Sequence, residues 1–171
     1  MGPVRIPSNF EFAMPLGASL TPIVLGGLIA GVCDITYAVV FWAFRGASAE
    51  RVFQSVASGL LGMKAFDGGL ATAALGLGLH FLIALILAFI FYGASTRIPV
   101  LVRRPVIIGA VYGFAVFWVM NLVVLPLSAF PRKVTFVPLV VITGLLVHMF
   151  LIGVPIALGA RRALASRTPG A

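Results

Sequence analysis

The chain has 171 residues, of which 61% are apolar and only 9% are charged. Soluble domains carry roughly 25% charged residues, so this composition excludes an ordinary soluble enzyme or binding domain and predicts a protein solvated mainly by lipid. The net charge is +8, but the Lys and Arg residues flank apolar runs and form no basic, aromatic surface. We therefore expect contacts with the lipid bilayer and no nucleic-acid partner.

Four apolar runs are long enough to cross a bilayer, which takes about 20 helical residues. They cover residues 20–44, 70–92, 105–129 and 137–160. Pro126 is expected to break or kink the end of the third run, and Arg161 and Arg162 are expected to stop the fourth. The sequence thus predicts an all-α membrane protein with four transmembrane helices, folded as one domain over residues 1–171.

A shorter amphipathic segment connects the first two runs. Ser48 is placed to cap a helix over residues 49–61. The apolar side of this helix carries Val52, Phe53, Val56 and Leu60. A segment with this pattern is expected to lie along the membrane surface or to pack over the mouth of the bundle, as a plain connector or as a gating lid.

Near the middle of each apolar run lies one residue that can carry a charge or donate a side-chain hydrogen bond. These residues are Asp34, His80, Asn121 and His148. Such groups are costly in lipid, so they are expected to face protein. At about 1.5 Å per residue, all four fall within roughly one or two helical turns of one plane. We predict a buried polar cluster in which Asp34 accepts a hydrogen bond from an imidazole N–H.

Small residues flank these polar positions on the same helical faces, a pattern typical of helix packing in membranes. The glycines predicted to lie at helix contacts are Gly27, Gly31, Gly76, Gly109, Gly113 and Gly144. Because these faces exceed what a four-helix core needs, we expect a homo-oligomer or a place in a larger membrane complex.

Three functions are compatible with the polar cluster. The cluster fixes helix register in an accessory or assembly subunit, which ranks first, or Asp34 and the histidines handle protons or an ion in a small transporter or conducting oligomer. In the third interpretation, His80 and His148 ligate a b-type haem; the other two need no cofactor. The sequence has no Ser–His–Asp arrangement, no phosphate-binding loop and no ligand cluster around Cys33, so we expect neither an enzyme nor a metal site.

Three short segments resemble a known group of proteins. They are Gly26-Gly27-Leu28-Ile29-Ala30-Gly31, Gly76-x-x-x-His80 and Leu146-Val147-His148-Met149. These segments resemble small bacterial inner-membrane proteins of the YagU type, a family without an established biochemical role. The resemblance implies a location in the bacterial inner membrane and assigns no functional residue.

The distribution of Lys and Arg predicts the orientation. The side of the termini carries Arg5, Arg97, Arg103, Arg104, Arg161, Arg162 and Arg167, and the opposite side carries Arg45, Arg51, Lys64, Arg132 and Lys133. Positive residues favour the cytoplasmic side. The larger number on the first side therefore favours cytoplasmic termini.

Overall fold

The computed structural model describes residues 20–131 and 135–166. In chain order the helices are α1 (Thr21–Ala43), α2 (Ala49–Leu61), α3 (Gly69–Arg97), α4 (Pro105–Leu127) and α5 (Pro138–Ala165). All except α2 are long and apolar enough to cross a membrane. The predicted all-α fold with four transmembrane helices is confirmed. Four residues counted above for the orientation lie outside the described residues: Arg5, Arg132, Lys133 and Arg167.

The ends of the spans differ from the sequence-based boundaries. Helix α3 extends to Arg97, beyond the predicted end at residue 92. Helix α5 continues through Arg161 and Arg162 to Ala165, so the two arginines do not stop it. Both are exposed, and a long cationic side chain reaches water or headgroups from a helix that continues past it. Helix α4 ends at Leu127, and the backbone of Ser128 that follows is extended (φ −83°, ψ 175°).

Helix α2 packs against the first half of α3 through its small and polar side. Its cap is as predicted, since the Ser48 hydroxyl accepts a hydrogen bond from the Arg51 N–H. Gln54 is 2% exposed, and its Nε2 donates to the Gly69 carbonyl at 3.1 Å. Leu60, predicted on the apolar side, is 62% exposed. Contact with α3 is therefore made by small and amide side chains, with only part of the apolar side buried.

The spans pack closely at the end of the bundle that holds Leu20 and Ser166. A Cβ atom at Gly26 would lie 2.8 Å from the Pro155 carbonyl oxygen, and one at Gly109 would lie 2.7 Å from that of Gly153. Backbone therefore meets backbone where α5 crosses α1 and α4. The side chains buried beside these contacts include Ile23, Phe91, Tyr92, Ile156 and Ala160. This end of the bundle is closed.

The glycines predicted at helix contacts all meet another helix of the same chain. Gly27 and Gly31 face α3, Gly76 faces α2, Gly109 and Gly113 face α5, and Gly144 faces the Phe117 ring of α4. The small-residue faces are thus used within one protomer. They no longer supply an argument for a second copy of the chain.

Two of the spans contain a π-helical segment. In α4 it covers Met120–Val124, and in α5 it covers His148–Gly153. A proline lies two residues after the end of each segment: Pro126 in α4 and Pro155 in α5. Proline has no N–H, so the carbonyl four residues earlier has no α-helical partner and the turn widens. Both wide turns contain one of the predicted polar residues.

Candidate functional site: a polar chamber between the spans

A cavity of about 980 Å³, here called the chamber, lies between α1, α3, α4 and α5. Its mouth is bordered by Arg45, Arg51, Ser128 and Phe130, which lie at the end of the bundle opposite Leu20 and Ser166. Its volume is at the upper end of the range typical of small-molecule sites, roughly 300–1,000 Å³. Helix α2 lies beside the mouth, and the closed end of the bundle forms the floor.

Each span contributes one of the predicted polar residues to the wall of the chamber. These are Asp34 from α1, His80 from α3, Asn121 from α4 and His148 from α5. Gly31 of the predicted packing set also lines it. The structure therefore brings the four polar residues around one shared space.

His80 binds the backbone of α1 and faces Asp34. Its Nε2 lies 2.9 Å from the Gly31 carbonyl oxygen, and since a carbonyl only accepts, this nitrogen carries a hydrogen. Its Nδ1 lies 4.0 Å from Asp34 Oδ2, longer than a hydrogen bond. The imidazole N–H thus goes to Gly31, not to Asp34 as predicted. Gly31 permits this contact because it has no side chain, and a Cβ there would lie 2.8 Å from the Phe81 ring.

The hydrogen bonds of His148 and Asn121 are made within their own helices. His148 Nδ1 donates to the Gly144 carbonyl at 2.9 Å, and Asn121 Nδ2 donates to the Phe117 carbonyl at 2.8 Å. The Phe117 ring also meets the imidazole of His148 edge to face, with centroids 5.3 Å apart. Among the described residues, neither side chain bonds to Asp34 or His80. The four residues line the chamber and do not form a mutually bonded cluster.

The facing atoms of Asp34 and His80 are suited to holding one exchangeable proton. With one hydrogen fixed on Nε2 by Gly31, the carboxylate and the Nδ1 lone pair repel each other when no proton lies between them. Side-chain exposures of 14% for His80 and 20% for Asp34 keep the pair in contact with the chamber.

The geometry of His80 does not fit the haem interpretation. A bis-histidine haem site needs one free ring nitrogen from each histidine. Both ring nitrogens of His80 are directed at other groups, Nε2 at Gly31 and Nδ1 at Asp34. Within residues 20–131 and 135–166, no group of three or more His, Cys, Asp or Glu side chains is placed to hold a metal ion.

Two further hydrogen bonds tie the walls of the chamber together, and sequence reasoning did not find them. The Tyr37 hydroxyl donates to Thr143 Oγ1 at 2.5 Å and joins α1 to α5. The Tyr112 hydroxyl donates to the Leu87 carbonyl at 2.8 Å and joins α4 to α3 at the floor. A tyrosine within a span, away from the membrane interface, is the signal that indicates such a partner.

Sequence reasoning also missed the role of two arginines. Arg45 and Arg51 were counted only as charges that set the orientation, but both line the mouth of the chamber. The sequence signal was their position, since they flank the turn between α1 and α2.

Comparison with protein-family models, with curated proteins and with solved structures finds no match to this chain. The class of protein is therefore defined by the fold: this is a helical multi-pass membrane protein. The resemblance to proteins of the YagU type stays a prediction.

Proposed function

We propose that this protein is a small membrane transporter that moves a solute through the chamber, coupled to proton exchange at the facing Asp34 and His80 side chains. The supporting observation is the chamber itself, with one polar residue from each span around a space large enough for a small molecule. A cluster that only fixes register would bond its polar groups to each other and fill the space between the helices. This proposal reverses the order that the sequence favoured, in which an accessory or assembly subunit came first.

We place the transporter in the bacterial inner membrane with cytoplasmic termini, so that the chamber opens away from the cytoplasm. Transport then requires a second state in which the closed end opens. The π-helical segments Met120–Val124 and His148–Gly153 form part of the chamber wall, and the halves of α4 and α5 beyond them lead to that closed end. Wide turns of this kind are frequent at functional sites and at bends in helices. They support a motion in which the halves of α4 and α5 nearer the closed end, residues 105–119 and 154–165, separate from α1 and α3.

Access to the chamber from each side of the membrane tests this proposal without a known substrate. In a Cys33→Ser background, Asn121→Cys places one thiol in the chamber wall. A charged, membrane-impermeant methanethiosulfonate is applied to one face of sealed proteoliposomes at a time. We expect rapid labelling from the side of the mouth and slower labelling from the side of the termini. Labelling from the mouth alone, under every imposed proton gradient, would contradict transport and favour an accessory subunit.

The matched control for this experiment is a thiol that faces lipid. Leu82 lies in α3, is 52% exposed and does not line the chamber. Leu82→Cys in the same background is expected to stay unlabelled from both sides, because a charged reagent does not enter the hydrocarbon layer. Labelling of this control would show that the vesicles leak.

Proton coupling is tested with two variants of the pair. Asp34→Asn and His80→Gln should remove the dependence of terminal-side labelling on the direction of the proton gradient. Asp67→Asn is the matched control, since Asp67 is an exposed carboxylate outside the chamber. A gradient dependence that survives in both chamber variants would mean that the proton is not carried by this pair.

A further inference from the structure

We infer that the solute is an organic anion with an apolar body, and that Arg45 and Arg51 bind its carboxylate or phosphate group at the mouth. This inference rests on the proposed function, because it names the class of substrate for the same chamber. It is argued from the geometry of the two guanidinium groups, from the balance of charge on the chamber wall, and from the apolar lining below the mouth.

Arg45 is held in place by its own turn of chain. Its Nη1 donates to the Phe41 carbonyl at 3.2 Å, and its guanidinium lies over the Phe41 ring, 3.9 Å from the centroid. A cation stacked on an aromatic face within about 6 Å is favourable and loses conformational freedom. The other N–H groups of the guanidinium remain for a ligand.

Arg51 is fixed in the same manner from α2. Its Nη1 donates to the Phe66 carbonyl at 3.1 Å, and the guanidinium lies 4.8 Å from the centroid of the Phe66 ring. The nearest acid in the sequence is Glu50, and its carboxylate accepts a hydrogen bond from Gln54 Nε2 at 3.1 Å. Among the described residues, neither Arg45 nor Arg51 has a carboxylate within 4.0 Å.

The charge on the chamber wall is therefore unbalanced at the mouth. The carboxylate that lines the chamber is Asp34, and it faces His80. Two pre-ordered guanidinium groups without acidic partners form a positive rim around an aqueous opening with low-dielectric walls. Such a rim concentrates anions and repels cations, and each planar guanidinium matches a carboxylate or phosphate.

Below the mouth the lining is apolar until the layer of polar residues. It includes Val56, Leu79, Val124, Leu125, Val137 and Val140. The Arg45 guanidinium lies over Phe41, which is seven residues from Asp34 along α1, or about 10 Å at 1.5 Å per residue. An anion held at Arg45 therefore places an apolar body of roughly that length against these side chains. A simple inorganic anion would leave this surface uncovered.

Binding to the protein in nanodiscs of phosphatidylcholine tests the inference. The probe is dodecanoate, titrated while the fluorescence of Trp42 at the mouth is followed in a Trp118→Phe background. We expect saturable binding that weakens about tenfold or more in Arg45→Gln and in Arg51→Gln, because hydrogen bonds to charged groups are lost. Dodecyltrimethylammonium, the cation with the same tail, should not bind. Equal binding of the cation, or unchanged affinity in both arginine variants, would overturn the inference.

Lys64→Gln is the matched control for charge. Lys64 is exposed on the same side of the membrane but does not line the chamber. Its removal lowers the general attraction for anions by one charge and should leave the affinity for dodecanoate within about twofold. A tenfold loss in this variant as well would show that only the overall surface charge matters, and would overturn the assignment to Arg45 and Arg51.

The source of the anion is resolved by a second nanodisc composition. If membrane lipid supplies the ligand, phosphatidylglycerol in the nanodisc should compete with dodecanoate, and Arg45→Gln should relieve the competition. If the ligand is a free organic acid, phosphatidylglycerol should not compete. Both results support an anion site. Without binding of either probe, the inference fails.

Failure of this inference is distinguishable from failure of the proposed function. Dodecanoate binding at the two arginines with labelling of Asn121→Cys from the mouth alone would retain the anion site and remove transport. Labelling from both sides without any anion binding would retain transport and remove this substrate class.

Discussion

The contact between α2 and α3 allows a sharp test in the substitution Gly76→Ala. A Cβ atom at residue 76 would lie 1.9 Å from the Phe53 carbonyl oxygen, 2.7 Å from its carbonyl carbon and 3.1 Å from the Ala57 nitrogen. All three are backbone atoms, so no side-chain rotation relieves the contact, and α2 must move away by about 1.5 Å to reach ordinary contact distance. We expect a loss of about 1–3 kcal/mol in the free energy of unfolding.

The matched control is Gly78→Ala, two positions further along the same helix. A Cβ atom there meets nothing within 4 Å. This variant should be neutral or gain up to about 1 kcal/mol, because alanine favours the helix over glycine. The measurement is unfolding in mixed micelles with increasing SDS, followed by circular dichroism. Equal stability of the two variants would refute the close contact between α2 and α3.

Three other predictions concern contacts around the chamber. Gly113→Ala places a Cβ 1.9 Å from the His148 carbonyl oxygen, whereas a Cβ in the control Gly93→Ala meets nothing within 4 Å. The same SDS titration should show a loss of about 1–3 kcal/mol in the free energy of unfolding for the first variant and none for the second. Similar values for the two variants would contradict the close approach of α4 and α5. Tyr37→Phe and Thr143→Ala should each lower the free energy of unfolding by about 0.6 kcal/mol. The double variant should lose little more than either single variant, because the two side chains share one hydrogen bond. Fully additive losses would disprove that bond. Pro155→Ala restores an N–H donor and should convert the π-helical segment of α5 to α-helix, slowing terminal-side labelling of the chamber cysteine several-fold. An unchanged rate would remove this segment from the proposed transport motion.

The four spans were predictable because a long apolar run in lipid has almost no alternative to a helix. The packing of α2 was not. Hydropathy assigned Val52, Phe53, Val56 and Leu60 to the apolar side of α2, yet the structure buries Gln54 and Ser58 more deeply than Val52. That choice depends on Gly76, whose lack of a side chain lets α2 approach closely, and on the Gly69 carbonyl, which accepts from Gln54. Neither feature of α3 is visible in the sequence of α2.

For the candidate site, the sequence located the four polar residues in one layer but not their partners. His80 donates to the Gly31 backbone because two helices pass close enough for an imidazole to reach a carbonyl, and a single sequence does not contain that distance. Predictions of helical faces also assumed a constant 100° per residue. The wide turns at Asn121 and His148 break that assumption, so the faces of α4 and α5 beyond them were not calculable from periodicity.

The wide turn in α5 has a consequence for how this protein can change over evolution. A turn that holds one additional residue rotates the rest of the helix by about 100° relative to an uninterrupted one. The half before Gly153 presents His148 to the chamber, and the half after it presents Ile156 and Gly159 to the closed end. Under the proposed function, mutations of the His148 side chain therefore alter which solute fits, while mutations at Ile156 and Gly159 weaken the fold. Substrate preference would then diverge at His148 without loss of the contacts at the closed end.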